Sequence, residues 1–149
     1  MVNKVDWFVK KNYNATYKAL PCRIRLSLGG KYNGYVVVSK NNPYFGKAYN
    51  DIDIDVHGGF TFGCNASVIR WEELDEKYKN EDYWVYGFDT MHMNDTDKYW
   101  TKERTLKEIA RVGVEMQLAE ILQERKNNRT FENEKEKNKD SKEDSSAKN

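Results

Sequence analysis

Residues 22–39 read Cys-Arg-Ile-Arg-Leu-Ser-Leu-Gly-Gly-Lys-Tyr-Asn-Gly-Tyr-Val-Val-Val-Ser. The first seven alternate. Cys22, Ile24, Leu26 and Leu28 fall on one side and Arg23, Arg25 and Ser27 on the other, the period of a strand with one buried face. Gly29 to Gly34 supplies a turn, and Tyr35 to Ser39 the return strand, so the segment predicts an antiparallel hairpin. The β-branched run Val36-Val-Val38 favours a strand buried on both faces. With Leu26 inward, Leu26→Asp is expected to cost ~2–5 kcal/mol or more, because it removes a core side chain and buries a charge.

A hairpin alone cannot bury its faces, so its neighbours decide the class. Upstream, Val5, Phe8, Val9, Tyr13, Tyr17 and Leu20 fall at steps of three and four, an amphipathic helix stopped by Pro21. Downstream, Asn41 to Gly46 is a loop. Residues 50–63 then read Asn-Asp-Ile-Asp-Ile-Asp-Val-His-Gly-Gly-Phe-Thr-Phe-Gly. Ile52, Ile54 and Val56 oppose Asp51, Asp53, Asp55 and His57, which predicts a further strand with an acidic face, although aspartate is a poor strand former. Gly58-Gly59 lets the backbone turn sharply, and a short strand carrying Phe60 and Phe62 follows. Trp71, Leu74 and Tyr78 suggest helical turns between Val68 and Lys79. Tyr83 to Phe88 is a strand. Thr101 is a credible N-cap, with Glu103 near the positive end, for a long helix that buries Leu106, Ile109, Val112, Met116 and Ala119 and fades near Lys126.

The expected class is therefore α+β. A mostly antiparallel sheet carries an N-terminal helix and a long C-terminal helix, forming one domain over residues 1–128. Residues 129–149 are expected to be a charged, disordered tail; from Glu132 onward the chain is charged or small and polar, a composition that predicts that residues beyond Glu132 are dispensable for folding.

Twenty-five basic and 24 acidic residues give a formal net charge of +1. That balance argues against direct nucleic-acid binding, which needs a basic surplus or stripe. No signal peptide or membrane span is evident, so the expected location is the cytoplasm, with Cys22 and Cys64 reduced and the N-x-S/T sequons without meaning. Aromatic residues make up 13% of the chain, ten of them Tyr, and suit pockets and interfaces as well as a core.

Both histidines lie in polar clusters that follow apolar strands. One is His57-Gly58-Gly59; the other is Asp89-Thr-Met-His92-Met-Asn-Asp95. Asp51-x-Asp53-x-Asp55 resembles the opening of an EF-hand, but Val56 and Phe62 stand where that loop needs Gly and Glu. His-Gly-Gly resembles an esterase oxyanion stretch, but no G-x-S-x-G elbow accompanies it. Asp89, His92 and Asp95 are spaced three apart and with His57 would offer two imidazoles and two carboxylates. Such a set suits a divalent transition metal or a hydrolytic acid–base pair. The competing reading is that Asp89 and Asp95 cap turns and His92 bonds to backbone.

Gly34-Tyr-Val-Val-Val38, Asn42-Pro-Tyr-Phe-Gly46, Val56-His-Gly-Gly-Phe-Thr-Phe62 and Trp84-Val-Tyr-Gly-Phe-Asp-Thr-Met-His-Met-Asn-Asp95 together resemble a pattern shared by small uncharacterised proteins encoded by phages and prophages. The resemblance spans about Arg23 to Trp100. It implies a phage or prophage origin and a common site, and it supplies no activity. Asn42 stands where that group has His, which favours a binding role over a catalytic one.

The leading expectation is a phage-type protein binding a small ligand, a nucleotide signal of host defence by analogy. Tyr44, His57, Gly58, Gly59, Thr61, Asp89, His92 and Asp95 would form the site. Glycine N–H groups would meet an anion, and Tyr44, Trp84 and Tyr86 could stack on a base. The rivals are a metal-dependent hydrolase using the same histidines and aspartates, and an interaction module that inhibits a host enzyme. The expected partners are a small molecule and, as a homo-oligomer, a second copy of the chain. The sequence specifies no cofactor.

Overall fold

The computed structural model describes residues 19–147, with side chains through residue 139. The expected N-terminal helix lies largely outside that range. Four strands, β1 (Cys22–Leu26), β2 (Tyr32–Ser39), β3 (Phe62–Asn65) and β4 (Tyr83–Phe88), precede one long helix, α1 (Lys102–Ala147). The strands form one antiparallel sheet in the order β1-β2-β4-β3. The expected hairpin is β1–β2, with Cys22 opposite Val36 and Leu26 opposite Tyr32.

The central strands are buried on both faces, as the Val36–Val38 run predicted. On one face Val36, Val38, Tyr86 and Phe88 meet Ile109, Val112 and Met116 of α1. On the other, Tyr35, Val37 and Val85 meet Ala66, Ile69 and Leu74. Gly34 allows the close approach of helix and sheet: a Cβ there would lie 3.0 Å from the Ile109 Cβ and 2.6 Å from the Phe88 ring. Thr101 caps α1, its Oγ1 accepting the Arg104 N–H at 3.2 Å.

Several expectations need correction. Leu26 is 59% exposed and Leu28 fully so; only Cys22 and Ile24 of the alternating set pack on the core. Asp51 belongs to a 3-10 turn at Tyr49–Asp51. Residues 52–56 alternate in burial, with Val56 buried and Asp53 and Asp55 exposed, but the segment pairs with no strand. It lies along α1, where Arg111 donates to the Asp55 carbonyl. Between Val68 and Lys79 there is no α-helix. Short 3-10 turns at Ala66–Val68 and Glu76–Tyr78 flank an irregular stretch from which Leu74 packs into the sheet. Nor does α1 fade at Lys126. It runs to Ala147, although no side chain from 122 to 139 is buried, so the polar segment continues as a solvated helix separate from the core. Among the described residues no helix is long and apolar enough to cross a membrane.

Candidate functional site

Two loops at one end of the sheet carry the histidines. The first leaves buried Val56, turns through Gly58 and Gly59 at φ +69° and +77°, and returns at buried Phe60. The Gly59 N–H donates to the Val56 carbonyl and the Thr61 N–H to the Gly87 carbonyl on β4. The second loop continues β4 from Asp89 to Trp100. Buried Thr90 fixes it to the first hairpin by donating to the Tyr32 carbonyl at 2.8 Å.

These anchors bring His57 and His92 together across the sequence, with ring centroids 5.0 Å apart and planes at 88°. Asp95 lies between them. His57 Nε2 is 2.9 and 3.0 Å from its two oxygens. His92 Nδ1 is 2.6 Å from Oδ2, which also accepts the His92 backbone N–H at 3.0 Å. The carboxylate is thus both turn cap and side-chain partner: Asp89 and Asp95 cap turns as the competing reading expected, but the His92 ring bonds to Asp95 rather than to backbone. Asp95 is 7% exposed, His57 26% and His92 36%. Burial acts to raise the Asp95 pKa, but the hydrogen bonds from His57 and from the His92 backbone and ring outweigh it and hold the carboxyl at about 2.

Asp89 approaches from the outer side, its Oδ1 3.7 Å from His92 Nε2. The same oxygen caps the turn by accepting the Met91 N–H at 3.0 Å. Gly58 lies against His92, where a Cβ would stand 2.3 Å from Cε1 and Nε2. Trp100 stacks on His57 at 4.1 Å, and Phe88 meets the same imidazole edge-on. Sequence reasoning gave Trp100 no role. Its one signal was an aromatic residue directly before the Thr101 cap, a position that packs against the helix start.

His57, Gly58, Asp89, His92 and Asp95 of the candidate set are brought together, with Gly59 completing the turn beside them. Tyr44 and Thr61 make their contacts elsewhere. Tyr44 packs on the core, and its carbonyl lies 2.5 Å from the Tyr86 hydroxyl. Thr61 is exposed. Tyr86 is buried, its phenol pushed up to about 12 chiefly by desolvation, and offers no face for a base to stack on. Asn42, where the phage group has His, is also buried: it donates to the Met116 carbonyl at 3.0 Å and accepts from the Tyr44 N–H at 2.9 Å. Asn42 ties its loop to α1.

Comparison of the chain with family models, curated proteins and solved structures gave no match.

Proposed function

We propose that the protein binds a small polar ligand at the His57–Asp95–His92 cluster. The observation that carries this reading is that one buried carboxylate orients two partly exposed imidazoles drawn from different loops. With His57 Nε2–H and His92 Nδ1–H both donating to Asp95, the lone pairs of His57 Nδ1 and His92 Nε2 are left to accept from a ligand, or to take a proton from it. Hydrolysis is the turnover form of the same reading, since a carboxylate-oriented imidazole is a general base.

A nucleotide is the ligand class that the phage resemblance favours, and the protein would then sequester a signal of host defence. The ring open to a base is Tyr99, 53% exposed and next to Trp100, with the Arg104 guanidinium 3.9 Å over it. The test is the melting temperature of wild type, His57→Ala and His92→Ala against a panel of mono-, di- and cyclic nucleotides. At a hundred times its Kd a ligand stabilises by about 2.7 kcal/mol, a shift of several degrees. At least one nucleotide should raise the wild-type transition and leave both variants unmoved. Analysis of that nucleotide after incubation separates binder from hydrolase. A shift retained in both variants would remove the site from the cluster.

A further inference from the structure

We infer that His57, His92 and Asp95 form a binding site for a divalent first-row transition-metal ion, with Asp89 supporting it from behind His92. One ligand atom from each of the three residues lies within 4.8 Å of the others. Two imidazole nitrogens and a carboxylate oxygen suit manganese through zinc, whereas calcium and magnesium prefer all-oxygen sets. Metal–ligand bonds of about 2.0–2.2 Å need such atoms roughly 3 Å apart. His57 Nε2 and His92 Nδ1 already stand 2.9 and 2.6 Å from Asp95 oxygens.

The hydrogen-bonded and metal-bound forms differ by two tautomer shifts. Each imidazole keeps its single proton, which moves from the nitrogen facing Asp95 to the far ring nitrogen. The freed lone pairs and a carboxylate oxygen then face the ion, and Asp95 retains the His92 backbone N–H that orients it. On His92 the relocated proton sits on Nε2, where the nearest carboxylate is Asp89, 3.7 Å away. A ligating imidazole characteristically donates its other N–H to such a carboxylate, which fixes the ring and raises its basicity. Asp89 therefore lies on the side of His92 where a ligating imidazole has its outer partner, and a small rotation would close the 3.7 Å gap to a hydrogen bond. Trp100 against His57 and Gly58 against His92 hold the rings in place.

The experiment titrates the full chain, stripped with a chelator, with Co(II) and Zn(II), using Mg(II) as the control. Calorimetry gives stoichiometry, and the visible bands of Co(II) report ligation. One transition ion should bind per chain and Mg(II) should not compete. His57→Ala and His92→Ala should each abolish stoichiometric binding. Asp89→Asn, which leaves the three ligands intact, should weaken it about 10–100-fold. Absence of stoichiometric binding in the wild type, or its persistence in both histidine variants, would overturn the inference. Should those variants fail to fold, imidazole nitrogen NMR of the unaltered chain with Zn(II) decides the matter. Shifts of His57 Nε2 and His92 Nδ1 to metal-bound values support the site, and unmoved resonances refute it. The inference rests on the cluster being the functional site, but its readouts use no small ligand. Metal binding can therefore fail while nucleotide binding stands, and the reverse.

Discussion

Asp95 serves three N–H groups with two oxygens, and its titration is the most direct consequence of that crowding. A carboxyl held at about 2 against an ordinary 3.8 contributes stability that is fully present above pH 4 and lost as pH falls through about 2. Asp95→Asn should therefore be less stable at neutral pH, by on the order of 2 kcal/mol, and its acid unfolding curve should be flatter between pH 4 and 2. Equal curves for variant and wild type would mean the carboxylate is not anchored as described. Gly58→Ala makes a second test at this scale. The new methyl group would meet the His92 ring at 2.3 Å on a backbone at φ +69°. We expect a stability loss of at least about 1–2 kcal/mol together with loss of ligand binding, measured by melting and titration of the same sample. The pairing of the two histidines was legible only in part: His92 follows β4 and sits beside Asp, but the segment before His57 joins no sheet, and the Gly58–Gly59 turn beside it was the signal that held. The stacking of Trp100 was not legible, since no local pattern relates a residue before a helix cap to a turn some forty positions earlier.

β1 shows where periodicity stops being informative. Alternation correctly gives the orientation of Cys22 and Ile24, but it carries no knowledge of how far the covering helix extends. α1 covers the first half of β1, and Leu26 projects past it with 59% of its surface exposed. Leu26→Asp should change stability by no more than about 0.5 kcal/mol, whereas Met116→Ala, beneath the sheet, should cost about 2–5 kcal/mol. Urea unfolding of the two variants would rank them, and a larger loss for Leu26→Asp would reverse the assigned face. The segment 52–56 teaches the same lesson. Its period of two gives which side is buried, but strand pairing needs a partner edge, and the exposed Asp53 and Asp55 do not favour one. The spacing of Trp71, Leu74 and Tyr78 likewise fits a helix, yet it also fits an irregular chain that drops anchors onto the sheet at intervals. β2 and β4 were legible because continuous apolar runs leave few alternatives for a chain buried on both faces.

At the scale of the whole molecule, α1 continues past the packed unit as a polar extension with no buried side chain from 122 to 139. Among the residues of α1 whose side chains are described, the last buried one is Ile121. A chain ending at Asn128 should melt within about a degree of the full-length protein, because no apolar burial is lost, and a drop of several degrees would show that the extension docks. Composition pointed to a disordered tail, and the structure shows a helix instead, since a charged segment can be helical without burying a face. The seam between α1 and β1 has a consequence of another kind. The Cys22 thiol lies 3.7 Å from the Ile109 carbonyl, a Cβ on Gly113 would stand 3.2 Å from the sulfur, and burial pushes its pKa to about 12 despite the nearby Arg23. Little thiolate forms while the helix is seated, so alkylation of the partly buried Cys22 should quicken when α1 lifts away. Its labelling rate in native buffer is then a clock for that opening, running on a sulfur the protein already carries.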